Sequence, residues 1–190
     1  MIDDSFIPTI SHIVCIDKMG LIGESNNLIW KIPEELNYFK TTTKDSVVLM
    51  GGNTFRSINS KPLKDRINIV VSNKLSYLDS NNLYIRNSLE EGLELSQYLA
   101  LKDEKNIFIM GGESIYNQTF DIVSKVYISV IDYNYKHSPV LKDKSELYYY
   151  DYIKLLEKTE SILNKDFIKS SNYFYPINTY ILKVSNDGLE

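Results

Sequence analysis

The stretch Trp30-Lys31-Ile32-Pro33-Glu34-Glu35-Leu36-Asn37-Tyr38-Phe39 carries the sharpest chemical signal in the chain. Pro33 suits a first helical position, where its missing N–H costs nothing. Glu35 then falls in the first turn, with Phe39 one turn later on the same face. Leu36 widens that face into an apolar stripe. A carboxylate at the edge of an apolar wall has its pKa raised by desolvation, while the helix N-terminus pulls the other way. Its two oxygens suit an amidine-like heterocycle. Taken alone, the stretch also reads as ordinary charge–dipole placement beside a packed tryptophan.

Two further stretches share one grammar. Val47-Val48-Leu49-Met50-Gly51-Gly52-Asn53-Thr54 and Ile107-Phe108-Ile109-Met110-Gly111-Gly112-Glu113-Ser114 each run from an apolar strand through Gly-Gly into a helix start. Glycine lets phosphates approach the backbone, and the N–H groups that open a helix attract anions. Such corners lie at the carboxyl ends of strands, where open α/β sheets bind ligands. Two of them can hold two ends of a dinucleotide, although tight turns also use Gly-Gly for geometry alone. Arginine is scarce, with only Arg56, Arg66 and Arg86, so each is noteworthy near an anion site. Arg66, at the entry to the strand Ile67–Val71, is a carboxylate fork if it faces a cleft and a solvated flank if it does not.

The elements that must position these groups follow from pattern. Ile10–Ile16 reads as a buried strand and Asp17–Leu28 as a long loop, punctuated by Gly20, Gly23 and Asn26-Asn27, of the kind that often forms a lid. The helix from Pro33 comes next. Ser46–Met50, Ile67–Val71, Leu83–Ile85, Asn106–Met110 and Lys125–Asp132 read as strands, and Asn53–Ile58 and Glu113–Thr119 as helices. Ser88 caps a helix with Glu91 at its third position, running to about Leu101. Tyr133–Tyr150 reads as irregular. Tyr152–Ser161 and Tyr173–Val184 read as antiparallel strands at the sheet edge, with a helix over Ile153–Leu163 as the alternative. The expected fold is α/β, three-layer αβα, with a mostly parallel sheet of about eight strands and an antiparallel C-terminal edge. One domain is expected over residues 1–190, with 1–8 as an N-terminal extension.

Composition bounds the function. A net charge of −4 gives no electrostatic case for nucleic acid. No apolar run approaches the roughly 20 residues of a membrane span. Cys15 is the sole cysteine, and with no signal peptide visible at Met1–Pro8 a reducing cytoplasm is the expected setting. His12 and His137 lie far apart without ligand-type neighbours, so no metal site is expected. A monomer is expected.

Taken in order, Ile22-Gly23, Trp30 to Leu36, Phe39, Met50 to Phe55, Ser57-Ile58, Pro62-Leu63, Arg66, Asn68-Ile69 and Met110 to Tyr116 resemble dihydrofolate reductase, from about Ile10 to Asp132. The resemblance implies NADPH-dependent hydride transfer to 7,8-dihydrofolate. It implies that Glu35 is the active-site acid, binding the pterin 2-amino and N3 groups and assisting protonation at N5. Trp30 would order a water near that acid, and Ser129 would support it by a hydrogen bond. Leu36 and Phe39 would wall the pterin and p-aminobenzoyl sites, opposite Ile58 and Leu63. Arg66 would fork the glutamate tail. Ile13 and Met110 would turn carbonyls to the pterin amino group. Cys15 falls where small residues line the pterin, and reads equally well as a buried thiol.

For the cofactor, the resemblance implies Gly111, Gly112, Glu113, Ser114, Ile115 and Tyr116 at the pyrophosphate and nicotinamide, with a cis Gly111-Gly112 bond. It implies Gly52, Asn53, Thr54 and Ser57 at the other corner, Ile22 and Gly23 on the lid, and Ser72 and Asn73 beside the adenosine. Gly52 stands where the family usually has a cation for the 2′-phosphate. Lys74 is the expected substitute, with a reduced preference for NADPH over NADH. Ile29 replaces the usual proline before the tryptophan, and the Gly-Asp that clasps the lid in some members is missing after Asp132. The alternatives are a pyrimidinone reductase of riboflavin synthesis, which shares the fold, and a non-catalytic protein that kept it.

Overall fold

Val47, Val48, Leu49 and Met50 are all fully buried, the mark of a strand covered on both faces. Their side chains alternate between two cores. Val47 and Leu49 join Val14, Ile16, Ile69, Ile107, Ile109, Val126 and Ile128 on one face. Val48 and Met50 join Ile13, Phe55, Val70, Ile85 and Phe108 on the other. A one-residue slip would exchange the two sets, so this alternation fixes register. The computed structural model describes residues 5–25, 27–134, 146–170 and 176–185.

The elements in order are β1 (Ile10–Asp17), β2 (Leu21–Glu24), β3 (Asn27–Leu28), α1 (Pro33–Thr42), β4 (Val47–Gly51), α2 (Gly52–Ser57), β5 (Ile67–Val71), β6 (Leu78–Asp79), β7 (Leu83–Arg86), α3 (Leu89–Lys102), β8 (Ile107–Ile109), α4 (Glu113–Thr119), β9 (Lys125–Ile131), β10 (Leu147–Tyr149), α5 (Tyr152–Lys158), β11 (Thr159–Ile168) and β12 (Ile177–Val184). The main sheet runs β11-β12-β9-β1-β8-β4-β5-β7-β6. It is parallel from β9 through β7 and antiparallel at β12 and β11. Leu99 and Ala100 of α3, Ile115 and Tyr116 of α4 and Leu155 of α5 cover one face. Phe55 of α2 and Phe39 of α1 pack on the other. The three-layer αβα expectation holds.

The expected sheet of about eight strands is observed with nine, and three other expectations need correction. The ninth strand comes from Leu78 and Asp79, which pair antiparallel with Ile85 and Tyr84. Arg86 secures that edge, donating from Nη2 to Asp79 Oδ1 at 2.7 Å. The expected loop Asp17–Leu28 contains β2 and β3, and the expected irregular stretch contains β10; together they form a second sheet, β10-β2-β3. Their alternation is too short to read as strands without the partner. Finally, Tyr152–Lys158 is helical rather than extended. Asp151 caps it, its Oδ1 accepting from Lys154 N at 2.9 Å, and Leu155 is fully buried. The strand begins only at Thr159. The N-cap residue, not aromatic content, was the deciding signal.

The cap expected at Ser88 is present: Oγ accepts from Glu91 N at 3.2 Å. The expectations for residues 1–4 of the extension, for Asn26, for His137 with residues 135–145, and for 173–175 of the last strand lie outside the described residues.

Candidate active site

Helix α1 has one buried residue, and it is Glu35. Pro33 opens the helix after Ile32, which is fully buried and pins the entry. The carboxylate is thereby driven against the sheet, 7 % exposed. Ser129 of β9 donates from Oγ to Glu35 Oε1 at 3.2 Å. Burial pushes the Glu35 carboxyl up to about 6, with the Ser129 hydrogen bond pulling the other way. A carboxyl so placed exchanges its proton near neutral pH.

The two diglycine corners meet. Gly51 N donates to Gly111 O at 2.8 Å, bridging the ends of β4 and β8. The Gly111-Gly112 peptide bond is cis. A Cβ on Gly51 would stand 3.2 Å from Ile115 Cγ1, so the corner is tight and a side chain there would push Ile115 aside.

One cavity of about 920 Å³ joins these parts. Glu35, Leu36, Phe39, Ile58, Leu63 and Arg66 line one end. Ile13, Cys15, Trp30, Ile22 and Gly23 line its middle with Met110, Gly111, Gly112, Glu113, Ser114, Ile115 and Tyr116. Gly52, Asn53, Thr54, Ser57, Ser72, Asn73 and Lys74 extend it at the carboxyl ends of β4 and β5. Of the residues expected at the site, only Ser129 is not in the lining; it stands behind Glu35.

Several lining side chains are held by specific bonds. Arg66 is 8 % exposed; its Nε donates to Lys64 O at 2.9 Å and its Nη1 to Thr43 Oγ1 at 3.0 Å. Its guanidinium carbon lies 6.0 Å from the Phe39 ring centre. Asn68 grips the turn that presents Leu63, accepting from Leu63 N at 2.8 Å and donating to Leu63 O at 2.9 Å. Tyr116 donates from its hydroxyl to Ile13 O at 2.6 Å, so that carbonyl is already engaged from within. Glu113 Oε1 accepts from Tyr149 N at 2.9 Å, tying β10 to the start of α4. Trp30 packs edge-on to Tyr133, ring centres 5.9 Å apart, in a cluster with Ile32, Ile131 and Ile177.

Sequence reasoning missed Arg56, Asn87, Ser88, Asn27 and Tyr148 as lining residues. Arg56 had a usable signal: it lies four residues from Gly52, hence on the same helical face. Tyr148 and Asn27 had none, since both reach the cavity through the pairing of the small sheet.

Known proteins resemble the chain in the same terms. The dihydrofolate reductase family model matches residues 9–159. The dihydrofolate reductase of Staphylococcus haemolyticus is 32% identical over 127 residues, covering 67% of this chain and 72% of that protein. The bifunctional dihydrofolate reductase-thymidylate synthase of Paramecium tetraurelia is 33% identical over 110 residues, 58% of this chain and 22% of that protein's length. A solved structure of dihydrofolate reductase from Enterococcus faecalis, complexed with NADP(H) and RAB-propyl, superposes with a TM-score of 0.72 at 18% identity, covering 93% of this chain and 96% of that one. At that identity the likeness is one of fold. The family match spans the buried acid, both diglycine corners and the arginine at the far end of the cavity, and by it this chain belongs to the dihydrofolate reductase family.

Proposed function

We propose that the protein is a dihydrofolate reductase, converting 7,8-dihydrofolate to 5,6,7,8-tetrahydrofolate with NADPH. The observation that carries the reading is the single cavity holding a buried carboxyl at one end and two joined diglycine corners beyond it. A pteridine is a planar amidine-bearing ring, and Glu35 offers it two oxygens against the apolar walls of Leu36, Phe39 and Ile58. Arg66, already aimed by Thr43 and Lys64, takes the α-carboxylate of the glutamate tail through its remaining N–H groups. The corners fit a dinucleotide, because the backbone at Gly51 and Gly111 is bare of side chains where phosphates must come close.

NADPH, when bound, supplies the hydride to C6 of the pteridine, and a proton goes to N5. The chain's own groups do the rest. Glu35 holds the ring by its 2-amino and N3 groups and assists protonation at N5. Ser129 holds the acid in place, and its hydrogen bond keeps the pKa from rising further. Tyr116 fixes the Ile13 carbonyl beside the ring. The small sheet β10-β2-β3 covers the cavity through Gly23 and Tyr148, and its closure excludes water. Cys15 is read as a lining residue without chemistry of its own. The site roles, one domain over the whole chain, a monomeric state and a cytoplasmic setting are parts of the same reading. Among the described residues, no helix is long and apolar enough to cross a membrane.

The test is loss of nicotinamide absorbance when purified protein is mixed with NADPH and dihydrofolate. Turnover supports the reading. Dinucleotide and antifolate binding without turnover would favour the non-catalytic alternative.

A further inference from the structure

Beyond the diglycine corners the cavity continues past Ser72, Asn73, Lys74, Asn87 and Ser88. This end gathers positive charge. Arg56 and Lys74 both line it, and among the described residues neither forms an ion pair with a carboxylate. The other two arginines are committed elsewhere. Arg86 pairs with Asp79 at 2.7 Å and stacks over Tyr77 at 4.2 Å. Arg66 stands at the opposite end, against Phe39.

The Arg56 guanidinium lies beside a closely packed point at Gly52. A Cβ on Gly52 would lie 2.8 Å from Ser72 Oγ and 3.0 Å from Ser72 Cβ, so the end of β5 fills the space a side chain would need. The next group near that point is the Arg56 guanidinium, its Nη1 3.8 Å away. Residue 56 comes one turn after residue 52 along α2, and Asn53 Oδ1 accepts from Arg56 Nη2, drawing the side chain back toward the start of the helix. Lys74 follows closely, since its N–H donates to Ser72 Oγ at 3.2 Å. The Arg56 guanidinium and the Ser72 hydroxyl thus stand at one spot, and Lys74, whose backbone is tied to Ser72, lines the cavity beside them. Two cations and an oxygen donor suit a dianion with three oxygens, which is the chemistry of a phosphate monoester.

We propose that Arg56 is the principal cation for the 2′-phosphate of NADPH, with Ser72 and Lys74 beside it, and that it makes the protein selective for NADPH over NADH. The proposal rests on the dinucleotide reading of the cavity. It replaces the expectation that Lys74 does this work and that the preference for NADPH is reduced.

The experiment is equilibrium binding to the full-length protein, followed by quenching of Trp30 fluorescence with NADPH and NADH. It is repeated by calorimetry with 2′,5′-ADP and 5′-AMP. Arg56 is exposed, so R56A is expected to fold. R56A is expected to weaken NADPH and 2′,5′-ADP roughly ten- to hundred-fold, the loss of a charged hydrogen bond, and to leave NADH and 5′-AMP within about two-fold. K74A is expected to cost less than R56A, and R56K to fall between R56A and the parent. Equal weakening of both dinucleotides in R56A, no weakening at all, or a larger loss in K74A would overturn the proposal. If the parent binds both dinucleotides but R56A leaves their ratio unchanged, only this proposal fails. If the parent binds neither, the reading of the cavity fails with it.

Discussion

His12 Nδ1 lies 2.8 Å from the Tyr150 hydroxyl, joining the central strand to the segment that follows β10. The other ring nitrogen, Nε2, lies 2.7 Å from Thr119 Oγ1. Thr119 spends its one hydroxyl proton on Ile115 O at 2.7 Å, so it must accept from His12. His12 is therefore the neutral Nε2–H tautomer, and Tyr150 donates to Nδ1. Tyr150 N in turn donates to Gly20 O at 2.8 Å, tying the segment after β10 to the turn before β2.

Burial, with a smaller contribution from Lys154, lowers the His12 pKa to about 3. Between that value and the ordinary histidine range the unfolded chain binds the extra proton, so stability rises with pH across the window and falls as pH drops through it. Tyr150→Phe leaves Nδ1 without its donor and should cost about 1–3 kcal/mol. Thermal melts at neutral pH check the loss. A melting temperature equal to the parent's would contradict the assigned bond.

Glu35 acts on stability in the opposite sense. Its folded pKa is raised to about 6, so the native state binds the extra proton and stability is lost as pH rises through that value. Glu35→Gln should then be more stable than the parent at pH 7 by up to about 2 kcal/mol and no more stable near pH 4. Its turnover should fall by roughly 100- to 10,000-fold at neutral pH, with partial recovery at low pH on substrate protonated in solution. Urea melts at the two pH values and a pH–rate profile read both effects.

Ser129→Ala removes the hydrogen bond that holds the Glu35 pKa down. The inflection in the pH–rate profile should move to higher pH while the enzyme stays active. An inflection that does not move would mean the bond does not tune the acid.

Arg66→Lys keeps the charge but loses the fork and the bond to Thr43. The KM for dihydrofolate should rise roughly ten- to hundred-fold, the range for a charged hydrogen bond, with kcat nearly unchanged. A pterin lacking the glutamate tail should not distinguish the variant from the parent.

Gly92 of α3 lies against β5, where a Cβ would meet Val71 Cγ2 at 2.6 Å. Valine is stiff at χ1 and cannot simply swing away. Gly92→Ala should cost about 1–3 kcal/mol despite the better helix propensity of alanine. Adding Val71→Ala should recover part of the loss. Chemical denaturation of the single and double variants measures both.

The division between sequence and tertiary structure follows particular residues. Local patterns determined the order of strands and helices because their causes are local: apolar runs at 47–50 and 107–109, Pro33 at a first turn, Ser88 at a cap. They also determined which types of residue stand at the site, since an acid beside an apolar stripe and glycines after strands are legible by type and spacing. Contacts between distant segments were not legible. The second sheet needs Tyr148 opposite Gly23, the Glu35 pKa needs Ser129 from β9, and Gly51 meets Gly111 only when β4 and β8 pair. Arg56 shows the limit most clearly. Its type was noted in the chain, but only the folded structure brings its guanidinium into the cavity lining beside Gly52 and Ser72. Burial and hydrogen bonding across the sheet set charge, tautomer and reach, and those depend on neighbours that the sequence places many residues away.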